Sequence, residues 1–306
     1  MKSPREIRHY LEYAAVRGML ALAGSLPRSA GSAIGASLGS LAFTLGVRRE
    51  VSIGNIVAAL GVSRAEASRI ARRSYQNLGR GMMEFAGFRR LSAERVRAMA
   101  RVEGFEHLEA ARRAGRGGIV VTGHFGCWEL GGAIVPAKGL PMNYVVGEQT
   151  NHRVDDVIND LRRTRGVGII PRAVALKKVL QLLRANEFVA LLADQDARKG
   201  GIIVDFLGRP ASTVRGPALF AIRAPSPIVP LIVLREGRGY RIIFEAPIWP
   251  DPAMDEEAQV LDLTRRYTDF LSRWIRERPE EYFWPHRRWK SAAAQLAKTQ
   301  AVEAGS

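Results

Sequence analysis

The feature that most constrains the fold is an alternation of short β-branched runs with amphipathic helical segments, which begins near Val102. Strands that alternate with helices are typical of a largely parallel sheet covered by helices on both faces. The sequence therefore predicts an α/β fold, an α-β-α sandwich whose sheet is mixed but mostly parallel, with an N-terminal helical extension. The predicted strands are GGIVVTG, MNYVVGE, VGIIP, EFVALLAD, GIIVDFLG, PIVPLIVLRE and YRIIFEAPI.

The first third of the chain predicts helices. Residues 63–88 open with Ser63 and carry Glu66 three positions later, the pattern of a capping box. A segment near residues 29–50 is about as long as a bilayer span, but its many glycines and serines make it weakly hydrophobic. We therefore expect residues 1–50 to form helices that lie on a membrane or pack on the body, residues 51–290 to form the main domain, and residues 291–306 to be a flexible tail.

The charge balance favours an anionic partner. Lysine and arginine total 46 against 30 acidic residues, which gives a net charge of +16. Such a surplus suits nucleic acid, acidic lipid headgroups or an acidic carrier protein, although it is also compatible with a merely solvated surface. The single cysteine, Cys127, excludes a disulfide framework and a zinc site built mainly from cysteine.

The most informative local stretch is VVTGHFGCWELGG, residues 120–132. His124 follows an apolar strand, and chemistry in open α/β sheets collects at the carboxyl ends of strands. Gly123 and Gly126 let the backbone turn sharply and approach a ligand closely. If His124 lies in the turn before the next helix, Glu129 can fold back beneath it and hold one imidazole nitrogen protonated. A structural histidine is the alternative reading of the same spacing.

Two carboxylates follow the strand EFVALLAD and are expected to face the same crevice. We expect Asp194 to belong to the site of His124, and we expect Asp196 to cap the loop or form an Asx turn. Cys127 lies inside the histidine segment, where a Cys–His pair would be nucleophilic, but a cysteine at the start of an apolar helix is more commonly packed.

Several stretches, taken in order, resemble one family. HFGCWE, ADQD, VDFLGRPASTVRGPALFAIRAPSPIVPL and PEEYFWPHRRWK are similar to motifs of the lipid A biosynthesis (lauroyl/myristoyl) acyltransferases, within the glycerolipid acyltransferase-like H-x(4)-D/E superfamily. The resemblance extends from about residue 48 to residue 290. VDFLG departs from the commoner V-P-F-F-G of that family, which leaves the acceptor open.

The resemblance implies transfer of a fatty acyl chain from a thioester, acyl carrier protein or acyl-CoA, to a hydroxyl of a lipid A precursor or related glycolipid. His124 would be the general base, Glu129 would fix its tautomer, and Asp194 would have an active-site role. The amides after His124, Gly126 among them, and a nearby arginine are candidates to stabilise the oxyanion. No metal and no cofactor are expected.

A functional arginine is implied near the strand VGIIP. Arg163 or Arg165 is favoured for a headgroup or phosphate, with Arg172 as a further candidate. His286 and Arg287, in the aromatic and basic segment YFWPHRRWK, are expected to be structural or to face lipid.

The expected location is the cytoplasmic face of a bacterial inner membrane, held peripherally or weakly anchored on an anionic surface. Two alternatives stay open at this point. The acceptor may be a phosphatidylinositol mannoside or another glycolipid, or the chain may be a basic nucleic-acid-binding protein in which HFGCWE is accidental.

Overall fold

The computed structural model describes residues 3–292 of the chain. Its α-helices are α1 (Pro4–Ser25), α2 (Arg28–Thr44), α3 (Arg49–Leu60), α4 (Arg64–Ala86), α5 (Ala93–Ala98), α6 (Phe105–Arg113), α7 (Trp128–Ala137), α8 (His152–Arg163), α9 (Ala175–Arg184), α10 (Gly216–Arg223) and α11 (Glu256–Glu277). Its strands are β1 (Ala100–Glu103), β2 (Gly118–Thr122), β3 (Met142–Val146), β4 (Val167–Pro171), β5 (Phe188–Leu192), β6 (Ile202–Phe206), β7 (Arg209–Thr213), β8 (Ile228–Glu236) and β9 (Gly239–Phe244).

Seven strands form the main sheet in the order β1-β9-β8-β2-β5-β3-β4, and β6 and β7 form a separate antiparallel hairpin. The strands β8, β2, β5, β3 and β4 run parallel to one another. β9 runs antiparallel to β8, and β1 runs parallel to β9. The predicted mixed, mostly parallel sheet is confirmed. The sequence prediction missed two strands, β1 and β7.

Helices cover both faces of the sheet, as alternate residues of β2 show. Val120 lies in a buried cluster with residues of α6 and α7, including Leu108 and Leu130. Ile119 and Val121 point to the opposite cluster, which contains residues of α9, α10 and α11. A strand that is buried on both faces reads as a continuous apolar run, which is why the sequence identified it.

The N-terminal helices are placed by α4. α2 packs along α4 through glycine: a Cβ added at Gly35 would lie 2.3 Å from the carbonyl oxygen of Gly79. The backbones of the two helices are therefore in contact, and the glycines that make this segment weakly hydrophobic serve close packing. The opposite face of α2 is exposed and apolar, with Leu38 at 51% and Leu41 at 52% exposure. Ser63 caps α4 by accepting from the Glu66 N–H, as predicted.

Within residues 3–292, no single helix is both long and apolar enough to cross a membrane. α2 and α3 meet that measure only as a pair, and the chain bends by 90° between them. At the other end, the Ser291 N–H donates to Asp196 and Ala292 is buried. The first two residues of the predicted tail therefore belong to the folded body, and residues 293–306 lie outside the described part of the chain.

Candidate active site

His124 lies in the short turn between β2 and α7, at the carboxyl edge of the sheet. The turn depends on Gly126, whose φ of +56° is in the left-handed region that favours glycine. A Cβ at this position would also lie 1.9 Å from the carbonyl oxygen of Val233 on β8. The chain thus turns away at the end of β2, and the imidazole of His124 lies at that end. The close approach that Gly126 permits here is to β8, and its contact with substrate stays a prediction.

Asp194 is the partner of His124. Residues 124 and 194 each lie two positions beyond the paired ends of β2 and β5, Thr122 and Leu192. The Asp194 carboxylate accepts from the His124 backbone N–H at 3.0 Å and lies 2.8 Å from Nδ1 of the ring. This pair of contacts fixes the imidazole with Nδ1 protonated and leaves Nε2 as the basic nitrogen. Asp194 therefore lies beside His124 at the edge of the sheet, as expected from the strand ends.

The protonation of this pair is set by opposing effects. Burial disfavours the imidazolium, but the charge of Asp194 and the hydrogen bond to it outweigh burial and raise the pKa of His124. Burial likewise disfavours the carboxylate, but the contact with His124 and the backbone hydrogen bond lower the pKa of Asp194. Asp194 is 1% exposed, so its charge acts on the imidazole with little screening by water.

The structure corrects the predicted role of Glu129. Glu129 does not touch the imidazole; its carboxylate accepts two hydrogen bonds from Arg162, from Nε at 3.1 Å and from Nη2 at 2.6 Å. α7 begins at Trp128, and Glu129 therefore lies in the first helical turn and faces α8 instead of the turn that holds His124. Glu129 adds a small upward effect on the pKa of His124 through its charge alone.

Arg162 is held by a line of polar side chains along α8. Its Nη1 donates to Asn159 at 3.1 Å, and the amide of Asn159 donates to Asp155 at 3.2 Å. One turn earlier, Asn151 donates to the carbonyl oxygen of His9 in α1 at 2.7 Å. The spacing of 155, 159 and 162 places the three side chains on one helix face. These polar side chains therefore extend along α8 from the contact with α1 to the Glu129–Arg162 pair.

The predicted arginines lie elsewhere. Arg163 is exposed and pairs with Asp160 at 2.9 Å. Arg165 donates to the carbonyl oxygen of Leu91. Arg172 begins a short 3₁₀ helix after β4 and is exposed. The arginine that joins the site is therefore Arg162, one and three positions before the two favoured candidates. Arg162 lies on the same face of α8 as Asn159, and this spacing was the signal in the sequence that could have identified it.

The C-terminal segment 279–291 closes over the histidine turn. The Phe283 N–H donates to the carbonyl oxygen of His124 at 2.9 Å, and the Gly126 N–H donates to that of Glu281 at 2.9 Å. Phe125 and Tyr282 form an antiparallel bridge between them. The aromatic and basic segment thus holds the backbone of the histidine turn from outside the sheet.

Within this segment, His286 has a structural role, as predicted. Its Nε2 accepts from the Asp196 N–H at 2.9 Å, and burial lowers the pKa of His286. Asp196 in turn accepts from the Arg198 N–H two residues on, the Asx turn expected there. Arg287 is exposed, whereas the neighbouring Arg288 is buried and donates to Ser212 and Thr213 of β7.

The surroundings of the ring are aromatic. The centroid of Trp128 lies 5.1 Å and that of Phe283 lies 5.9 Å from the centroid of His124. The side-chain nitrogen of Gln195 lies 3.4 Å from Nε2 of His124. Burial raises the pKa of Cys127 to about 12, which disfavours the thiolate that a nucleophilic cysteine requires.

Comparison with known proteins identifies the family of the chain. The family model described as bacterial lipid A biosynthesis acyltransferase matches residues 1–291. The lipid A biosynthesis lauroyltransferase of Escherichia coli K12 is 25% identical over 294 residues, which cover 93% of this chain and 92% of that protein. The phosphatidylinositol mannoside acyltransferase of Mycobacterium tuberculosis H37Rv is 25% identical over 204 residues, 65% of this chain and 63% of that protein.

A more distant likeness is to a solved structure, the 1-acyl-sn-glycerophosphate acyltransferase PlsC of Thermotoga maritima. It has a TM-score of 0.37 and 15% sequence identity, and covers 78% of this chain and 97% of that one. At this TM-score the likeness says nothing about function here.

An α/β sheet that presents a His–Asp pair at its carboxyl edge is compatible with general-base chemistry. The chain belongs to the bacterial lipid A biosynthesis acyltransferase family. The resemblance inferred from its ordered motifs is confirmed. Family membership favours the acyltransferase interpretation of the sequence over the nucleic-acid-binding interpretation.

Proposed function

We propose that this protein transfers a fatty acyl chain from a thioester donor to a hydroxyl of a glycolipid, with His124 as general base. The observation that carries the proposal is the contact between Asp194 and Nδ1 of His124, because it leaves Nε2 basic and directed away from the carboxylate. A base must lie within hydrogen-bond reach of the proton that it removes, and the side chain of His124 is 18% exposed at the edge of the sheet.

The proposed reaction needs only one positioned base. The acceptor hydroxyl oxygen attacks the thioester carbonyl while its proton passes to Nε2 of His124. The tetrahedral intermediate then collapses, the carbon–sulfur bond breaks, and the imidazolium returns the proton to the departing thiolate. The products are an ester and a free thiol. Asp194 stabilises the imidazolium that forms between the two proton transfers.

The oxyanion requires donors other than those expected. The Phe125 N–H donates to the Gly123 carbonyl and the Gly126 N–H donates to that of Glu281, so these two amides are occupied. We assign the role to the first-turn amides of α7, at Trp128 and Glu129, because helix N-termini present N–H groups and a positive dipole to an anion.

The donor and acceptor are proposed from the relatives. Their names specify lauroyl transfer in lipid A biosynthesis and acylation of phosphatidylinositol mannoside. We propose a lipid A precursor as acceptor, because the match to the lauroyltransferase covers 92% of that protein. The mannoside acyltransferase is matched over only 63% of its length, and a phosphatidylinositol mannoside is the second candidate.

A peripheral site on the cytoplasmic face of the inner membrane is also proposed. The exposed apolar side chains of α1 and of the α2 C-cap support it, with Ile7 at 50%, Leu11 at 62% and Leu45 at 73% exposure. The net charge of +16 suits an anionic surface.

The test is acyl transfer by the purified chain, with acyl carrier protein and CoA thioesters as donors in separate reactions. Lipid A precursor and phosphatidylinositol mannoside are the acceptors, and mass spectrometry detects the products. Ester product with the wild type and none with His124→Ala supports the proposal. Equal product from the variant, with its circular dichroism unchanged, contradicts it.

A further inference from the structure

A cavity of about 290 Å³ lies where the end of α1 and the start of α2 meet the end of α4 and α5. Its volume is at the lower end of the range for ligand pockets, roughly 300 Å³ upward, and suits a headgroup-sized ligand. It shares no lining residue with the histidine turn. The lining is Ala23, Gly24, Leu26, Pro27, Arg28, Gly31, Ser32, Met83, Glu84, Gly87, Arg90, Leu91, Arg95 and Met99.

The carboxylate of Glu84, which belongs to this lining, is already paired. Its two oxygens accept from Arg235 at 2.9 and 3.0 Å, and the hydroxyl of Tyr240 also donates to it. Glu84 is only 7% exposed. The charge of this carboxylate is therefore balanced by Arg235, and the three arginines of the lining leave the cavity positive.

Some N–H donors of those arginines have no hydrogen-bond partner. The Nε of Arg28 is buried without a hydrogen-bond partner, and lies 3.6 Å from the carboxylate of Glu84. The Nε of Arg90 lies 3.3 Å from the position that a Cβ on Gly24 would take. Within residues 3–292, the guanidinium groups of Arg90 and Arg95 have no hydrogen bond or ion pair with protein. Arg90 and Arg95, both exposed, and the partly buried Arg28, which pairs with Glu84 and donates to the carbonyl oxygen of Arg238, thus line one small space.

We propose that this cavity binds a phosphate monoester. Guanidinium groups match phosphate oxygens in a bidentate geometry, and a monoester has the charge to engage more than one arginine. Arg28, the first residue of α2, also lines the cavity, and the N-cap residue of that helix, Pro27, provides no side-chain hydrogen bond to its amides. The ligand is either the headgroup of a lipid or a soluble phosphomonoester. This site goes beyond the proposed acyl transfer, and its test requires no turnover.

The experiment compares binding by the full chain with binding by two variants. Arg90→Gln/Arg95→Gln removes two charges from the lining. Arg89→Gln is the matched control, because Arg89 is exposed in the same 3₁₀ turn, Gly87–Arg90, and does not line the cavity. The probes are glycerol 3-phosphate, measured by calorimetry, and phosphatidylcholine vesicles with equal fractions of either phosphatidic acid or phosphatidylglycerol, measured by co-sedimentation.

We expect the double variant to bind a phosphomonoester probe about ten-fold or more weakly than wild type, since charge-assisted hydrogen bonds are lost. The control should stay close to wild type. Binding of phosphatidic acid vesicles alone supports a lipid source, and binding of glycerol 3-phosphate as well supports a soluble one. Equal binding by the double variant and the control, or no preference for phosphatidic acid over phosphatidylglycerol with no binding of glycerol 3-phosphate, overturns the proposal. Neither result depends on whether the chain transfers an acyl group.

Discussion

Two buried carboxylates lie near His124, and their partners make them different. Asp194 faces the imidazole, which changes charge near neutral pH, whereas Glu129 faces the guanidinium of Arg162, which stays protonated. Only the first pair can take part in proton transfer. The second supplies a fixed charge pair that ties α7 to α8. Five positions in sequence separate Glu129 from His124, and seventy separate Asp194, so sequence distance does not choose the partner.

Replacement of the base should give the largest effect. We expect His124→Ala to lower the rate of acyl transfer by about 10³- to 10⁴-fold, because a positioned general base contributes up to that amount. The rate is measured with a thioester donor at saturating acceptor. His152→Ala is the control, since His152 is exposed at the start of α8. A wild-type rate of acyl transfer in His124→Ala would contradict the assignment of His124 as the general base.

Loss of the orienting carboxylate should come next. Asp194→Asn should lower kcat by roughly 10²- to 10³-fold, because the tautomer with Nδ1 protonated is no longer enforced. Circular dichroism checks that the fold persists. If Asp194→Asn is mild and Glu129→Gln is severe in kcat, the roles of the two carboxylates are reversed.

The pH dependence of the rate should also distinguish Asp194 from Glu129. Asp194 raises the pKa of His124, so the acid limb of the rate profile should lie above the ordinary histidine value in wild type. Asp194→Asn should move this limb to lower pH, whereas Glu129→Gln should move it little. A limb that stays in place in Asp194→Asn contradicts the assignment.

The stability of the pair follows from the same shifts. The pKa of Asp194 is lowered, so its contribution is present above its unfolded pKa and is lost as pH falls through the folded value. The pKa of His124 is raised, so its contribution is complete below its unfolded pKa and is lost as pH rises through the folded value. The free energy of unfolding that the pair adds should therefore be largest between these limits. Urea denaturation of wild type and Asp194→Asn across pH measures it.

The Glu129–Arg162 pair should matter more for stability than for chemistry. Loss of one partner from a buried pair costs about 3–5 kcal/mol. With 16% of the Arg162 side chain and 10% of the Glu129 side chain exposed, we expect Glu129→Gln to lie toward the lower end of that range. The double variant Glu129→Gln/Arg162→Gln should recover part of the loss, because no unpaired charge remains. A double-mutant cycle of urea denaturation measures the coupling, and additive losses would contradict it.

The smallest effect should come from the polar line on α8. Asn159→Ala removes one hydrogen bond to Arg162 and one to Asp155, each worth about 1 kcal/mol. We expect a loss of roughly 1–2 kcal/mol in the free energy of unfolding, measured by urea denaturation, with an unchanged pH profile of the rate. Asn159→Asp keeps the acceptor for Arg162 but loses the donor to Asp155 and places two carboxylates side by side, so it should recover little of the loss. A shift of the acid limb of the rate profile in Asn159→Ala would show that the polar side chains on α8 affect the pKa of His124.

The sequence predicted the architecture where strands are buried on both faces, because such strands are continuous apolar runs. The prediction missed β1 because that strand has only four residues. It missed β7, RPAST, because that strand contains proline and little apolar alternation. His124 and Asp194 were both found at strand ends. Their pairing required the register of β2 with β5, which aligns Thr122 with Leu192 and is a property of the sheet, not of either segment.

The two remaining differences also have physical reasons. Glu129 was assigned to His124 because the start of α7 was not fixed to the residue, and a helix that begins at Trp128 turns the next side chain toward α8. Arg162 was missed because several arginines follow one another and the phase of α8 selects among them. Asp155 and Asn159, which precede Arg162 along the same helix face, define that phase through their hydrogen bonds.

The contact between the Phe283 N–H and the His124 carbonyl has a consequence for biosynthesis. The ribosome makes β1 through β9 before it makes residues 279–291, so the sheet can assemble while the histidine turn still lacks its outer hydrogen bonds. The nascent chain can therefore form the sheet before its reactive geometry and the core residues Tyr282, Trp284 and Trp289 are in place. Completion of the site is then a late step of translation, which follows the emergence of this segment from the exit tunnel.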